Sequence, residues 1–178
     1  VYGYIAVEHG LGLDPCLKSF STDTKAEIGS INRPLKVDDT FEILEDVSSW
    51  DHLSIPNPDY KKETNFKVYP GPQLQFFTDQ ALQSFISSTF TISAQSDRMG
   101  IRLKGEAILS SESHDILSEG ILPVSIQVPS DGQPIVLMRD IPCTGGYPKI
   151  AILNEEDISK ISQLPPGSQI TFDLQTIY

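Results

Sequence analysis

The amino-acid sequence predicts a mainly β protein with two short helices. Three observations carry that expectation: an opening block whose side chains alternate with period two, seven short apolar runs after residue 65, and only two segments with a helical period.

In chain order, Tyr2, Tyr4 and Ala6 fall on one face and Gly3, Ile5 and Val7 on the other. The chain is therefore expected to begin inside a sheet, as part of a partial β lobe over residues 1–45 that continues an upstream segment. Residues 46–64 shift to DVSSWDHLSIPNPDYKKET, with two prolines, an Asn-Pro-Asp turn signal and no period. They are read as a linker. Residues 65–178 form the second lobe, and its apolar runs at 66–69, 90–92, 101–103, 126–128, 135–138, 150–153 and 170–174 read as strands. Many short strands mean a barrel or a sandwich.

The first helix is placed by Thr78, which can cap a turn starting at Asp79, and by Leu82, Phe85 and Ile86 on one face. The second follows Asn154 as cap, with Glu155, Glu156 and Asp157 at the positive end of the helix dipole and Ile158 and Ile161 turned to the core. Pro165-Pro166-Gly167 ends it.

With 178 residues, 39% of them hydrophobic and 21% charged, the chain is long enough to bury a core. Thirteen Lys and Arg against 24 Asp and Glu give a net charge of −11, which repels nucleic acid and anionic membrane surfaces. No apolar run approaches the roughly 20 residues that cross a bilayer, and a cytoplasmic location is expected. Cys16 and Cys143 lack a CxxC partner, and His9, His52 and His114 lack a second ligand at i+2 or i+4. No metal is expected.

Four segments carry a family pattern in order and spacing. They are Gly71-Pro72-Gln73; SDRMGIRLKG over 96–105; Ser118-Glu119-Gly120-Ile121 through SIQVP at 125–129 to Asp131-Gly132-Gln133-Pro134; and Thr144-Gly145-Gly146-Tyr147-Pro148. In these the chain resembles the biotin-dependent carboxyltransferase or allophanate-hydrolase-subunit-2 family, which includes the C subunit of 5-oxoprolinase and the KipI antagonist. YIAVEHG, Gly29 and RPLKVDD at 33–39 resemble the family's middle section. The resemblance implies a cyclophilin-like β-barrel for residues 65–178. The sequence departs from the family pattern at Phe20, Val124, Ile141 and Pro142, where Arg, Gly, Arg and Gln are usual.

Family members act on small amides, lactams or ureas through anionic species, which call for preorganised donors where charge develops. Arg98, Arg102 and Lys104 are a basic cluster in an acidic chain, and strand alternation puts Arg102 and Lys104 on one face. Arg98 and Arg102 are candidate catalytic groups and Lys104 a candidate substrate contact; the alternative is an Asp97–Arg98 ion pair that pins a turn, with Lys104 solvated. Glu119 is a candidate base or a carboxylate that orients an Arg. Thr144, Gly145, Gly146 and Tyr147 offer close backbone approach and a hydroxyl donor, or else a plain turn. Gln73 and Gln127 are amides that can read another amide, or satisfied structural groups. Cys143 has no histidine near it in sequence, and His114-Asp115 reads as an exposed loop.

The resemblance implies a first function, ATP-dependent opening of 5-oxoproline together with a KipI-like B-type subunit and an A-type subunit. Two alternatives stand beside it: carboxyl transfer from carboxybiotin in a urea or allophanate pathway, and a non-catalytic KipI antagonist that binds a kinase inhibitor. ATP or carboxybiotin would belong to the full complex, since the sequence holds no Walker-type Gly-Lys-Ser/Thr loop. The 178-residue chain alone is expected to fold without turning over substrate.

Overall fold

The computed structural model describes residues 2–7, 9–44, 63–111 and 115–176. It divides into two compact units, Gly3–Asn57 and Pro58–Tyr178, with Val1–Tyr2 joining the second. The predicted linker lies outside the described residues except for Glu63 and Thr64.

Among its described residues the smaller unit holds one two-residue ladder, β1 (Thr22–Asp23) antiparallel to β2 (Ile28–Gly29). Asp23 builds the turn between them, its Oδ1 accepting from the Lys25 and Ala26 amides at 2.9 and 3.1 Å. A second anchor is Arg33, whose two terminal nitrogens donate to both oxygens of Asp39 at 2.7 Å, while Asp39 also takes the Lys36 amide. That fork holds the Asp39 carboxyl down at about 2, first through the Arg33 hydrogen bond. Residues 2–7 do not form the expected strand. Their alternation is present, but among the described residues no neighbouring strand takes up their backbone groups, and Tyr4 and Ile5 stand exposed.

Each of the seven apolar runs of the second lobe is a stave of one closed barrel. In chain order its elements are β3 (Asn65–Pro70), α1 (Asp79–Ser87), β4 (Phe90–Ile92), β5 (Gly100–Lys104), β6 (Glu119–Gly120), β7 (Ser125–Gln127), β8 (Ile135–Leu137), β9 (Thr144–Gly145), β10 (Lys149–Leu153), α2 (Ile158–Ser162) and β11 (Gln169–Leu174). The staves run β10-β3-β11-β4-β5-β8-β7 and close from β7 back to β10; β6 and β9 form a separate two-stranded ribbon. All stave pairs are antiparallel except β3 with β11, which run parallel from Asn65↔Thr171 to Val68↔Leu174.

Period-two alternation fills the barrel. Phe66, Val68, Phe90, Ile101, Leu103, Ile126, Val136, Leu153, Ile170 and Phe172 point inward and are buried. Helix α1 adds Phe85, which stacks on Phe172 with ring centroids 4.8 Å apart and tilts against Phe90 at 5.9 Å. Thr78 caps that helix as expected, its hydroxyl accepting from the Ala81 amide at 3.1 Å. The second helix differs from expectation. Glu155–Asp157 is a 3-10 turn and Asn154 makes no side-chain cap. Asp157 is used instead as a buried tie, taking the Lys67 amide at 3.4 Å and the Lys160 ammonium at 2.8 Å.

Candidate functional site

One group of polar side chains lies on the outer face of staves β7 and β10, where inward alternation leaves Gln127 and Lys149 directly opposed. Outward residues of a barrel are normally wet, yet Gln127 is 5% and Lys149 3% exposed. Two pieces cover them. The first is the ribbon of β6 and β9, paired Glu119↔Gly145 and Gly120↔Thr144. A side chain at Gly145 would come within 3.0 Å of Gln127 Nε2 and 3.2 Å of Ile121, so glycine lets the ribbon backbone rest on that amide. The second is the turn after β3. Gly71 donates to Ile150 O at 2.9 Å, and a side chain there would meet Lys149 O at 2.2 Å. This close approach sets Gln73 over β10, its side-chain oxygen on the Lys149 amide at 3.3 Å.

Glu119 joins the two covers. Its Oε1 accepts from Gln73 Nε2 at 2.8 Å and from the Lys149 ammonium. The Lys149 side chain is 4% exposed and that of Glu119 44%, so the pair runs from the interior to the surface. The Lys149 hydrogen bond is the main reason the Glu119 carboxyl sits below the usual range, with Gln73 adding to it. A carboxylate kept charged on a buried ammonium is an anchor or an anion's counterpart rather than a proton acceptor at neutral pH. Gln127 Nε2 is buried and has no hydrogen-bond partner among the described residues. Such an orphan donor is rare enough to need a reason.

The structure thus brings Gln73, Glu119, Gln127, Thr144 and Gly145 together. Gly146 follows at the ribbon's end, its carbonyl taking the Ile116 amide at 2.8 Å, and Tyr147 stands largely outside. Lys149 is not among the candidates that the motifs supply, although it follows Tyr147-Pro148 directly and opens the apolar run KIAIL. Lys149 stands at the edge of that run, where a lysine is ordinarily solvated, and it is the pairing with Gln127 under the ribbon that buries it.

The basic cluster lies elsewhere. Arg102 and Lys104 share the outer face of β5 as alternation requires, beside a shallow groove with Ser93, Asp131 and Gln133. The ladder runs from Arg102 through Ile135 and Gln127 to Lys149, so Arg102 is three stave spacings away, about 14 Å at about 4.8 Å per strand. Arg98 does pair with a carboxylate, but with Asp140 at 2.7 Å rather than Asp97. Asp97 is occupied by the turn, accepting from the Met99 and Gly100 amides at 2.8 and 3.2 Å. Val124, standing where the family pattern has Gly, adopts φ +67, a left-handed conformation that a β-branched residue enters at a cost.

Among the described residues no group of three or more His, Cys, Asp or Glu side chains is placed to hold a metal ion. No described helix is long and apolar enough to cross a membrane.

A family model for the carboxyltransferase domain, subdomains A and B, matches residues 1–174. The chain belongs to that family. It is 38% identical over 171 residues to the 5-oxoprolinase C subunit of Escherichia coli (strain K12), covering 95% of this chain and 54% of that protein. Against the 5-oxoprolinase C subunit of Haemophilus influenzae the identity is 35% over 175 residues, covering 97% and 56%. Urea amidolyase of Saccharomyces cerevisiae is 27% identical, with 95% of this chain and 10% of that protein covered. The chain spans about half the length of the 5-oxoprolinase proteins it matches. Among solved structures, TTHA0988 superposes with TM-score 0.75 at 30% identity, over 94% of this chain and 32% of that one. Urea amidolyase of K. lactis gives TM-score 0.77 at 22% identity, over 94% and 12%, and supports the barrel fold.

Proposed function

We propose that this chain is part of a protein of the 5-oxoprolinase C type, acting with a B-type, KipI-like subunit and an A-type subunit in ATP-dependent opening of 5-oxoproline. The observation that carries the reading is its 38% identity, over 95% of the chain, to a protein of that description. The polar group on β7 and β10 supports it chemically. It combines an ammonium, two side-chain amides and a carboxylate under a glycine ribbon, a donor-rich setting suited to a small anionic amide. ATP is assigned to the assembled complex.

A second reading, carboxyl transfer from carboxybiotin to urea, draws on the 27% identity to urea amidolyase. One experiment separates them. The full-length protein is combined with its B-type and A-type partners, and ATP hydrolysis is followed with 5-oxoproline, with urea and without substrate. Hydrolysis stimulated by 5-oxoproline alone is the expected result. Stimulation only by urea in the presence of a biotinylated carrier would transfer the assignment to the second reading.

A further inference from the structure

Beneath the β6–β9 ribbon, the donors outnumber the acceptors that answer them. Lys149 supplies an ammonium and Gln73 an amide N–H, and both converge on one oxygen, Glu119 Oε1. Gln127 supplies a buried amide nitrogen with no partner among the described residues. Lys149, Gln127, Gly145 and Glu119 form a closed ring of neighbours. Lys149 opposes Gln127 across the staves, Gln127 lies under Gly145, Gly145 opposes Glu119 in the ribbon, and Glu119 returns to Lys149.

Their anchorage is unequal. Lys149 and Gln127 sit on barrel staves and are almost wholly buried, whereas Glu119 is half-exposed on a two-residue strand held by two cross-strand pairs. The donors are therefore the fixed part of this arrangement and the carboxylate is the removable part. A buried ammonium cannot be left without a counter-charge, so what replaces Glu119 must itself be an anion. One charged donor and two amide N–H groups suit a planar carboxylate, which accepts at both oxygens.

We propose that Lys149, Gln73 and Gln127 form a binding site for the carboxylate of a small molecule, and that Glu119 is a resident stand-in which that carboxylate displaces. One incoming oxygen takes the place of Glu119 Oε1 on Lys149 and Gln73. The other reaches Gln127 Nε2, since opposed side chains start only about 5 Å apart at Cβ, and the orphan donor gains its partner. The exchange is neutral in charge at Lys149, and Glu119 returns to water as the ribbon lifts. Only the identity of the natural ligand rests on the function proposed above: 5-oxoproline carries a carboxylate beside its lactam.

The test is a calorimetric titration of this chain with acetate, 5-oxoproline and 2-pyrrolidinone, the last being a lactam without a carboxylate. Glu119→Gln removes the stand-in's charge and keeps its size, so acetate and 5-oxoproline are expected to bind at least about tenfold more tightly than to the wild type, about 1.4 kcal/mol. Binding of 2-pyrrolidinone is expected to stay unchanged. The double variant Glu119→Gln, Lys149→Met leaves no unpaired buried charge and is expected to lose carboxylate binding altogether. Equal binding by Glu119→Gln and wild type overturns the proposal, as does carboxylate binding retained by the double variant; wild type against double variant decides the matter should the single variant not fold. A carboxylate gain without 5-oxoproline-dependent ATP hydrolysis by the complex leaves the site standing and removes the lactam reading. Full turnover by a complex carrying Lys149→Met does the reverse.

Discussion

The unit Pro58–Tyr178 closes a barrel over Phe66, Phe85, Phe90, Ile126, Ile150 and Phe172, all buried. In the unit Gly3–Asn57 no described residue is buried, and Tyr4, Ile5, Leu17, Leu35 and Val37 face outward. What orders the described part of the smaller unit is polar: the Asp23 turn, the Arg33–Asp39 fork, a two-pair ladder and the Leu11–Ile43 backbone bridge. The contrast separates two ways of fixing a backbone. Alternating apolar residues work only where another layer covers them; elsewhere the same alternation leaves side chains in water, and turns and ion pairs must do the ordering.

The largest effect that tests this contrast is a pair of truncations. Phe85→Ala removes a fully buried ring from between α1 and the barrel and is expected to cost about 3–5 kcal/mol. Leu35→Ala, at a residue 63% exposed, is expected to stay within about 0.5 kcal/mol. Denaturant unfolding of the two variants measures both. A comparable loss at Leu35 would mean that the smaller unit has an apolar core after all.

Those two outcomes follow from features that are partly legible in the sequence. All seven staves are, because each run is short, apolar and covered on its inner face, which is the condition under which periodicity reports structure. The opening block is not, since alternation at 2–7 does not reveal whether an adjacent strand exists. At the site, Gln73, Glu119, Gln127 and Gly145 are legible through their motifs. Lys149 is harder to see, because lysine is so regularly solvated that one at the edge of an apolar run gives no sign of burial. The separation of Arg102 from Glu119 is not legible for another reason. Period two fixes the face of a stave, while its neighbours depend on sheet order, and β5 lies three places from β10.

A smaller effect distinguishes the two kinds of glycine within the barrel unit. Gly71→Ala drives a methyl into the backbone of β10, with Lys149 O, Ile150 C and Ala151 N all within 2.7 Å, and is expected to cost about 1–3 kcal/mol. Because Gly71 sets the turn that carries Gln73, the same change is expected to weaken the Gln73–Glu119 hydrogen bond. Gly120→Ala has open space around it and is expected to be silent within about 0.5 kcal/mol. Thermal unfolding of the two variants checks the difference. Equal shifts would show that the turn after β3 yields more easily than its packing implies.

The smallest effect is confined to the polar unit and is read by pH. Asp39 titrates at about 2 against an ordinary 3.8. A depressed carboxyl contributes its stabilisation fully above the ordinary value, and that contribution is lost as pH falls from 3.8 toward 2. Carboxyl chemical shifts of Asp39 should therefore report a midpoint near 2, moving up toward 3.8 in Arg33→Gln. An unshifted midpoint in that variant would show that the Lys36 amide, and not the Arg33 fork, holds the turn.

The parallel pairing of β3 with β11 also governs time. These are the first and last staves of the barrel in sequence, joined from Asn65↔Thr171 onward, and every other stave lies between them along the chain. During synthesis on the ribosome, staves β4, β5, β8, β7, β10 and β3 can zip into an open sheet whose two edges, β4 and β3, stay unsatisfied until β11 arrives. Closure is delayed until residue 174 has cleared the exit tunnel. Bringing together segments so distant in sequence is entropically slow, and an exposed strand edge is a template for pairing with other chains. Yield of this protein in cells is therefore expected to depend on the rate at which its final stave is delivered.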